Sequence, residues 1–214
     1  MSLKSRVFLA RNDQIDAMLA AASLESAVNE GEGFQYIASV AIRPQDWDVA
    51  HAIGLARTSI AKANSLNSSK FRRGENDERI DTEGALGEWL VATLLAKSGA
   101  EMDVAAFVEY KAPKGEVDLV LAGQRIDVKT IGQAGGRNCN INREQHFAKK
   151  PAAYLVVHLV SGLVADLYVV RAAELEVAKE NGGRWQLRQG WSPYYNAYMP
   201  KQLANLEEPE TAAA

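Results

Sequence analysis

The chain has 214 residues, 47% of them hydrophobic, with 24 Lys plus Arg against 27 Asp plus Glu and a formal net charge of −3. That is enough apolar material for a full core, with one elaborated domain the expected organisation, and it excludes a global basic field, so any polyanion site must be local. The single cysteine, Cys139, excludes an intramolecular disulfide framework and a cysteine-based zinc site, leaves a reducing compartment as the default, and reads as structurally incidental. The apolar run in MSLKSRVFLARND is too short for a signal sequence and no segment approaches a membrane span. A soluble, cytoplasmic protein with no membrane partner is therefore expected.

Residues 13–29 predict a helix with Ile15, Met18, Leu19 and Ala22 on one stripe, closed by Glu30-Gly31-Glu32-Gly33. Phe34 to Ile42 is rich in aromatic and β-branched residues and reads as a strand. Arg43-Pro44 then opens a long helix to about Asn64, carrying Arg57 and Lys62. The polar run 65–79 holds Lys70, Arg72 and Arg73, offset by Glu75, Asp77 and Glu78. A solvated linker is the plain reading of that run, and a phosphate-contacting loop the alternative.

From Asp81, DTEGALGEWLVATLLAKSG predicts a buried helix, apolar nearly all round, with Asp81 or Thr82 as N-cap and Gly99 as its stop. Glu88 shares a face with Ala85, Val91, Ala92 and Leu95. A lone carboxylate there must protonate or find a partner. An exposed site near the helix start, a core salt bridge and a functional role all remain open for it. Gly84 and Gly87, one turn apart, point to close approach of another backbone or a ligand.

Val104 to Tyr110 reads as a strand, and KGEVDLVLAGQRIDVKT, residues 114–130, as a β-hairpin turning at Ala122-Gly123. Alternation sends Val117, Leu119, Leu121, Ile126 and Val128 to one face and Glu116, Asp118, Arg125, Asp127 and Lys129 to the other. A two-residue turn sets Asp118 opposite Asp127 and Glu116 opposite Lys129; Ala122 is ill-suited to positive φ, and a longer loop would shift the register. A solvated amphipathic ribbon explains the second pair. The first pair repels, by an amount comparable to the ~0.2–1 kcal/mol of a good cross-strand contact. A divalent cation between the acids would reverse the sign.

Gly132 to Asn140 is a Gly- and Asn-rich loop, and Ile141 to Lys150 a short helix. Ala153 to Val160 and Leu163 to Val170 predict two strands around Ser161-Gly162, the first apolar enough to be central. His158 within it reads as a satisfied core histidine. Residues 171–181 predict a surface helix. The tail to Leu206 carries Trp185, Trp191, Tyr194, Tyr195 and Tyr198 among Arg184, Arg188 and Lys201. Packing against the sheet edge is the simpler reading of these aromatics, and base stacking the alternative.

The succession of a helix with Glu88, a strand, a strand with Asp118, a strand with Asp127 and Lys129, a helix and a strand resembles the PD-(D/E)xK nuclease superfamily. The resemblance covers about residues 81–160, and GALGEWLVATLL and RIDVKT carry it. In this sequence Glu116-Val117 stands where a Pro often precedes the first Asp, and Asp127 stands where Glu is commoner. The resemblance implies an α/β protein with a three-layer α/β/α restriction-endonuclease-like core and a mixed central sheet over residues 81–214, preceded by a mainly helical extension over 1–80. It further implies Mg²⁺-dependent hydrolysis of DNA phosphodiesters, with Mn²⁺ as a substitute ion, by an endonuclease of phage, mobile-element or defence type.

Phosphodiester hydrolysis needs an in-line water and neutralisation of the charge that builds at phosphorus, which a hard cation with oxygen ligands provides. The resemblance assigns that ion to Asp118, Asp127 and the Val128 carbonyl, with Glu88 on a metal-bound water or a second ion. Lys129 falls beside the attacking water, as base if its pKa is lowered, otherwise as an orienting or transition-state-stabilising group. Arg137, Asn138, Asn140, Asn142, Arg143, Gln145, His146, Lys149 and Lys150 follow the active strand and border the implied substrate groove. Arg143, Lys149 and Lys150 are candidates to position phosphate, Gln145 and His146 weaker ones, His146 also to assist the nucleophile; Arg72 and Arg73 add the earlier loop. A solvated helix face is the plain reading of residues 141–150. The competing function is a nucleic-acid-binding or assembly protein of the same fold without turnover. RNA is an alternative substrate that uses the same centre, and a homodimer is an admissible assembly.

Overall fold

The computed structural model describes residues 8–9, 14–30, 35–63, 77–99, 102–103, 117–132, 138–176 and 184–188. In chain order the first elements are β1 (Phe8–Leu9), α1 (Gln14–Glu30), β2 (Gln35–Ala41), α2 (Pro44–Ala63), α3 (Asp77–Ser98) and β3 (Met102–Asp103). They are followed by β4 (Leu119–Leu121), β5 (Gln124–Ile131), β6 (Asn138–Asn142), α4 (Arg143–Lys149), β7 (Ala153–Ser161), β8 (Val164–Arg171), α5 (Ala172–Glu176) and β9 (Arg184–Arg188).

The chain is an α/β protein built on a mixed sheet of order β1-β2-β8-β7-β5-β4-β3. β7 and β8 are apolar on both faces, a pattern that only strands covered on two sides tolerate, and they lie in the middle, paired antiparallel. β5 joins β7 in parallel through a crossover that contains β6 and α4, while β2 joins β8 antiparallel. One face is buried beneath α1 and α3, where Leu24, Leu86, Leu90 and Leu95 meet Ile126, Val128, Leu155, Leu167 and Val169. The opposite face packs Tyr154, Val156, Tyr168 and Val170 with Ile131, Cys139, Ile141 and Leu175. A second, two-stranded sheet, β6 with β9, forms there, with Trp185 of the tail in register with Ile141; Trp191, Tyr194, Tyr195 and Tyr198 lie outside the described residues. The segment 1–80, expected as a mainly helical extension, supplies α1, β2 and α2 to the same sheet and core.

The stripe expected on α1 is not the one it buries. Ala17, Ala20, Ala21, Leu24, Ala27 and Val28 face inward, while Met18 and Leu19 are 52% and 61% exposed. Small residues let a helix lie closer to the strands than large ones do, so side-chain size rather than apolarity selects the face. α2 starts with Pro44 at its first position, and Asp46 reaches back to accept the Arg43 N–H at 2.9 Å, one half of a capping box. α3 begins a turn earlier than expected. Asp81 is therefore within the helix, where it accepts a 2.6 Å hydrogen bond from the Thr58 hydroxyl of α2 instead of capping. Gly99, at φ +74, ends α3 as expected.

Two contacts bring α3 close to its neighbours. A Cβ on Gly54 would lie 2.6 Å from the Thr82 nitrogen, so α2 and α3 cross there nearly backbone to backbone. A Cβ on Gly87 would overlap the Thr130 hydroxyl of β5. The close approach anticipated at Gly87 is thus to a strand side chain, whereas a Cβ on Gly84 meets nothing within 4 Å. The result is that Glu88 is carried on a helix held tightly against the strand that bears Asp127 and Lys129.

Candidate active site

The hairpin adopts the two-residue turn. Leu119 pairs with Ile126, Val120 with Arg125 and Leu121 with Gln124, and both Ala122 (φ 48) and Gly123 (φ 77) are left-handed, as a turn matched to the strand twist requires. Val117, Leu119, Leu121, Ile126 and Val128 are buried as a set. The regular ladder stops at Leu119, just before Asp118. There the Asp118 carboxylate substitutes for a backbone partner and accepts the Val128 N–H at 2.6 Å. Because the N–H and C=O of one strand residue point to the same side, the Val128 carbonyl shares that edge with Asp118.

Asp127 projects to the face under α4 and is only 1% exposed. Its two oxygens are divided between two lysines: Lys129 holds Oδ2 and Lys149, from the last turn of α4, holds Oδ1. The Lys149 ammonium also lies 3.8 Å from Asp118 Oδ1. Two carboxylates from neighbouring strands therefore face one cationic nitrogen. Burial alone would raise the Asp127 pKa, but Lys129 and Lys149 outweigh it and hold the carboxyl below its ordinary range. Asp118 has less compensation. Burial, reinforced by the Asp127 charge, pushes it up to about 7 against the pull of Lys149 and Lys129. Burial would lower Lys129, yet Asp127 and Asp118 more than reverse that and its pKa is raised.

Glu88 is also engaged. Its carboxylate takes both terminal nitrogens of Arg57 from α2, the first at 3.1 Å, with the two side chains 16% and 15% exposed. Burial opposes the Arg57 charge, but Glu88, with Asp118 and Asp81 nearby, leaves its pKa raised. The carboxylate on an apolar helix face is thus matched by a bidentate guanidinium, the core-salt-bridge reading. Among the described residues, no group of three or more His, Cys, Asp or Glu side chains gathers as a metal site. The oxygens that converge are those of Asp118 and Asp127.

No protein-family model matches the chain, and no curated protein or solved structure matches it either.

The residues expected around the groove divide three ways. Arg72, Arg73 and Arg137 lie outside the described residues. Gln145 and Lys150 are exposed on α4, whose N-terminus is capped by Asn142, and Arg143 stacks its guanidinium 5.4 Å from the Phe147 ring centre. His146 is 2% exposed, its Nδ1 is 2.9 Å from the Tyr154 hydroxyl, and its ring stacks on that tyrosine, so it packs α4 onto the sheet. A seven-residue helix needs one anchor on its inner face, and this polar ring supplies it with its hydrogen bond satisfied.

Arg57 and Tyr154 escaped the sequence reading. Tyr154 is buried on β7 beside Asp127 in register, with the Lys129 ammonium 6.0 Å from its ring centre. From the sequence Arg57 reads only as a basic residue of its helix, because its partner Glu88 lies across the α2–α3 crossing.

Proposed function

We propose that this protein is a Mg²⁺-dependent nuclease of the PD-(D/E)xK type that hydrolyses DNA phosphodiesters, probed best as an endonuclease. The observation that carries the reading is the convergence of Asp118 Oδ1 and Asp127 Oδ1 on one positively charged nitrogen, with a second lysine on the outer oxygen of Asp127. A hard divalent cation fits this donor set: two carboxylates that already share a cation, one of them poorly compensated, and the Val128 carbonyl on the same edge. Such an ion, when bound, supplies Lewis-acid polarisation of the phosphate and a more acidic water.

The chain's own groups divide the remaining work. Asp118 and Asp127 hold the positive charge at the open end of the hairpin ladder. Asp127 and Asp118 favour the protonated form of Lys129, which suits it to donate to an oxygen that gains charge in the transition state. Tyr154 and His146 support Lys129 and α4 from beneath. Glu88 orients Arg57 toward the Asp118 side of the site, a positioning role in place of the ligand role first expected of it.

The test is incubation with supercoiled plasmid, linear duplex, single-stranded DNA and RNA in Mg²⁺ or Ca²⁺. Mg²⁺-dependent nicking is expected, with a loss of roughly 10²-fold or more in Lys129→Ala and none of the activity in Ca²⁺. Binding without cutting in any metal would favour a non-catalytic nucleic-acid-binding protein instead, and cleavage confined to RNA would move the substrate class.

A further inference from the structure

The ammonium between the two acids comes from α4, not from the strand that bears Asp127 and Lys129. Lys149 reaches across to Asp127 Oδ1 and stands 3.8 Å from Asp118 Oδ1. Lys129 grips the other oxygen of Asp127. A cation held by Asp118 and Asp127 would contend with Lys149 and could leave Lys129 where it is. Like charges at one carboxylate oxygen repel, so the two occupants exclude each other.

The backbone around Lys149 is anchored independently of its side chain. The Lys149 carbonyl accepts two hydrogen bonds from the Arg125 guanidinium, at 2.9 and 3.2 Å. The next residue, Lys150, closes the helix with its N–H on the His146 carbonyl at 2.8 Å and a left-handed φ of 47. Releasing the ammonium therefore requires only rotation of a flexible four-carbon stem, with α4 staying in place. The Lys149 side chain is 22% exposed, so its way out to solvent, and to a polyanion lying along this edge, is open.

We infer that Lys149 is a displaceable internal counter-ion, seated between Asp118 and Asp127 until a divalent cation takes that position and then freed to contact a substrate phosphate. The inference rests on the metal-centre reading of the site and adds an order of events: cation entry and the phosphate contact become linked, because the same event that fills the acids releases the lysine. It also accounts for a lysine at the end of α4 whose charge is spent on acids rather than displayed on the helix surface.

The experiment titrates Mn²⁺ by calorimetry, without nucleic acid, into wild type, Lys149→Met and Lys150→Met, the last a loss of the same charge one residue further on. Lys149→Met is expected to bind Mn²⁺ at least tenfold more tightly than wild type, and Lys150→Met within about twofold of it. In parallel, acetylation of wild-type Lys149 by acetic anhydride, read by mass spectrometry of its peptide, should rise several-fold at saturating Mn²⁺. That second readout does not depend on a variant folding. In Ca²⁺, Lys149→Met should also bind duplex DNA more weakly, with the salt slope reduced by about one. Equal Mn²⁺ affinity in Lys149→Met and wild type, or acetylation indifferent to Mn²⁺, would overturn the counter-ion role while leaving the metal centre standing. Failure of all three proteins to bind Mn²⁺ would overturn the metal centre itself.

Discussion

Asp118→Asn should make the protein more stable at pH 8 in EDTA while abolishing the metal-dependent activity proposed above. A carboxyl whose pKa is raised on folding holds its proton more tightly in the native than in the unfolded chain. Its contribution is therefore most favourable below the ordinary carboxyl range, declines as pH climbs through that range, and levels off above about 7. The difference between an ordinary aspartate at 3.8 and this one at about 7 is worth at most roughly 4 kcal/mol, a figure that already nets the attraction of Lys149 and Lys129. The side chain keeps 21% of its exposure, which screens part of that cost, so a gain of roughly 1–3 kcal/mol is expected at pH 8. Asparagine retains an oxygen to accept the Val128 N–H, so the substitution removes the charge without orphaning the amide. The assay is urea unfolding in EDTA at pH 8 and at pH 4. The gain should be present at the first and nearly vanish at the second. A variant equally destabilised at both would refute the claim that Asp118 carries an uncompensated charge.

Three further outcomes follow from the packing. Gly87→Ala drives a methyl into the Thr130 hydroxyl and to 3.2 Å from its Cβ, and should cost roughly 1–3 kcal/mol by thermal unfolding; adding Thr130→Ala should recover much of it, and no recovery would mean that α3 does not rest on β5 there. Arg57→Met leaves Glu88 without its guanidinium at 15% exposure and should cost roughly 2–4 kcal/mol in urea, whereas Arg57→Met with Glu88→Leu should lie close to wild type. Burial pushes the Cys139 thiol up to about 12, so it should stay unlabelled by a disulfide reagent at pH 8 until the protein unfolds; rapid native labelling would show that the second core is open.

Local chemistry carried much of the architecture into the sequence. The Ala122-Gly123 turn, the alternation around it and the apolar β7 and β8 strands are determined by residues within a few positions of one another, and the register of Leu119 with Ile126 is the expected one. The face of α1 was not legible, because Met18 and Leu19 outrank alanine in apolarity while alanine wins on closeness to the sheet. Partners across a crossing were also hidden. Arg57 and Glu88 are 31 residues apart on different helices, and nothing in either segment marks the other. Lys149 could be read as basic and near the strand that bears Asp127, but its direction depends on how α4 is anchored by His146 and Arg125, which only the packed structure defines.

Among the described residues, just two that are not glycine adopt the left-handed backbone, Ala122 and Lys150. They sit at the tip of the hairpin that presents both acids and at the last step of the helix that presents Lys149. Each spends conformational energy that glycine or asparagine would not. For anyone seeking a hardier version of this protein, the hairpin tip at Ala122 is the natural first place to edit, since relief there leaves every charged group of the site untouched, whereas a change at Lys150 also removes a cation.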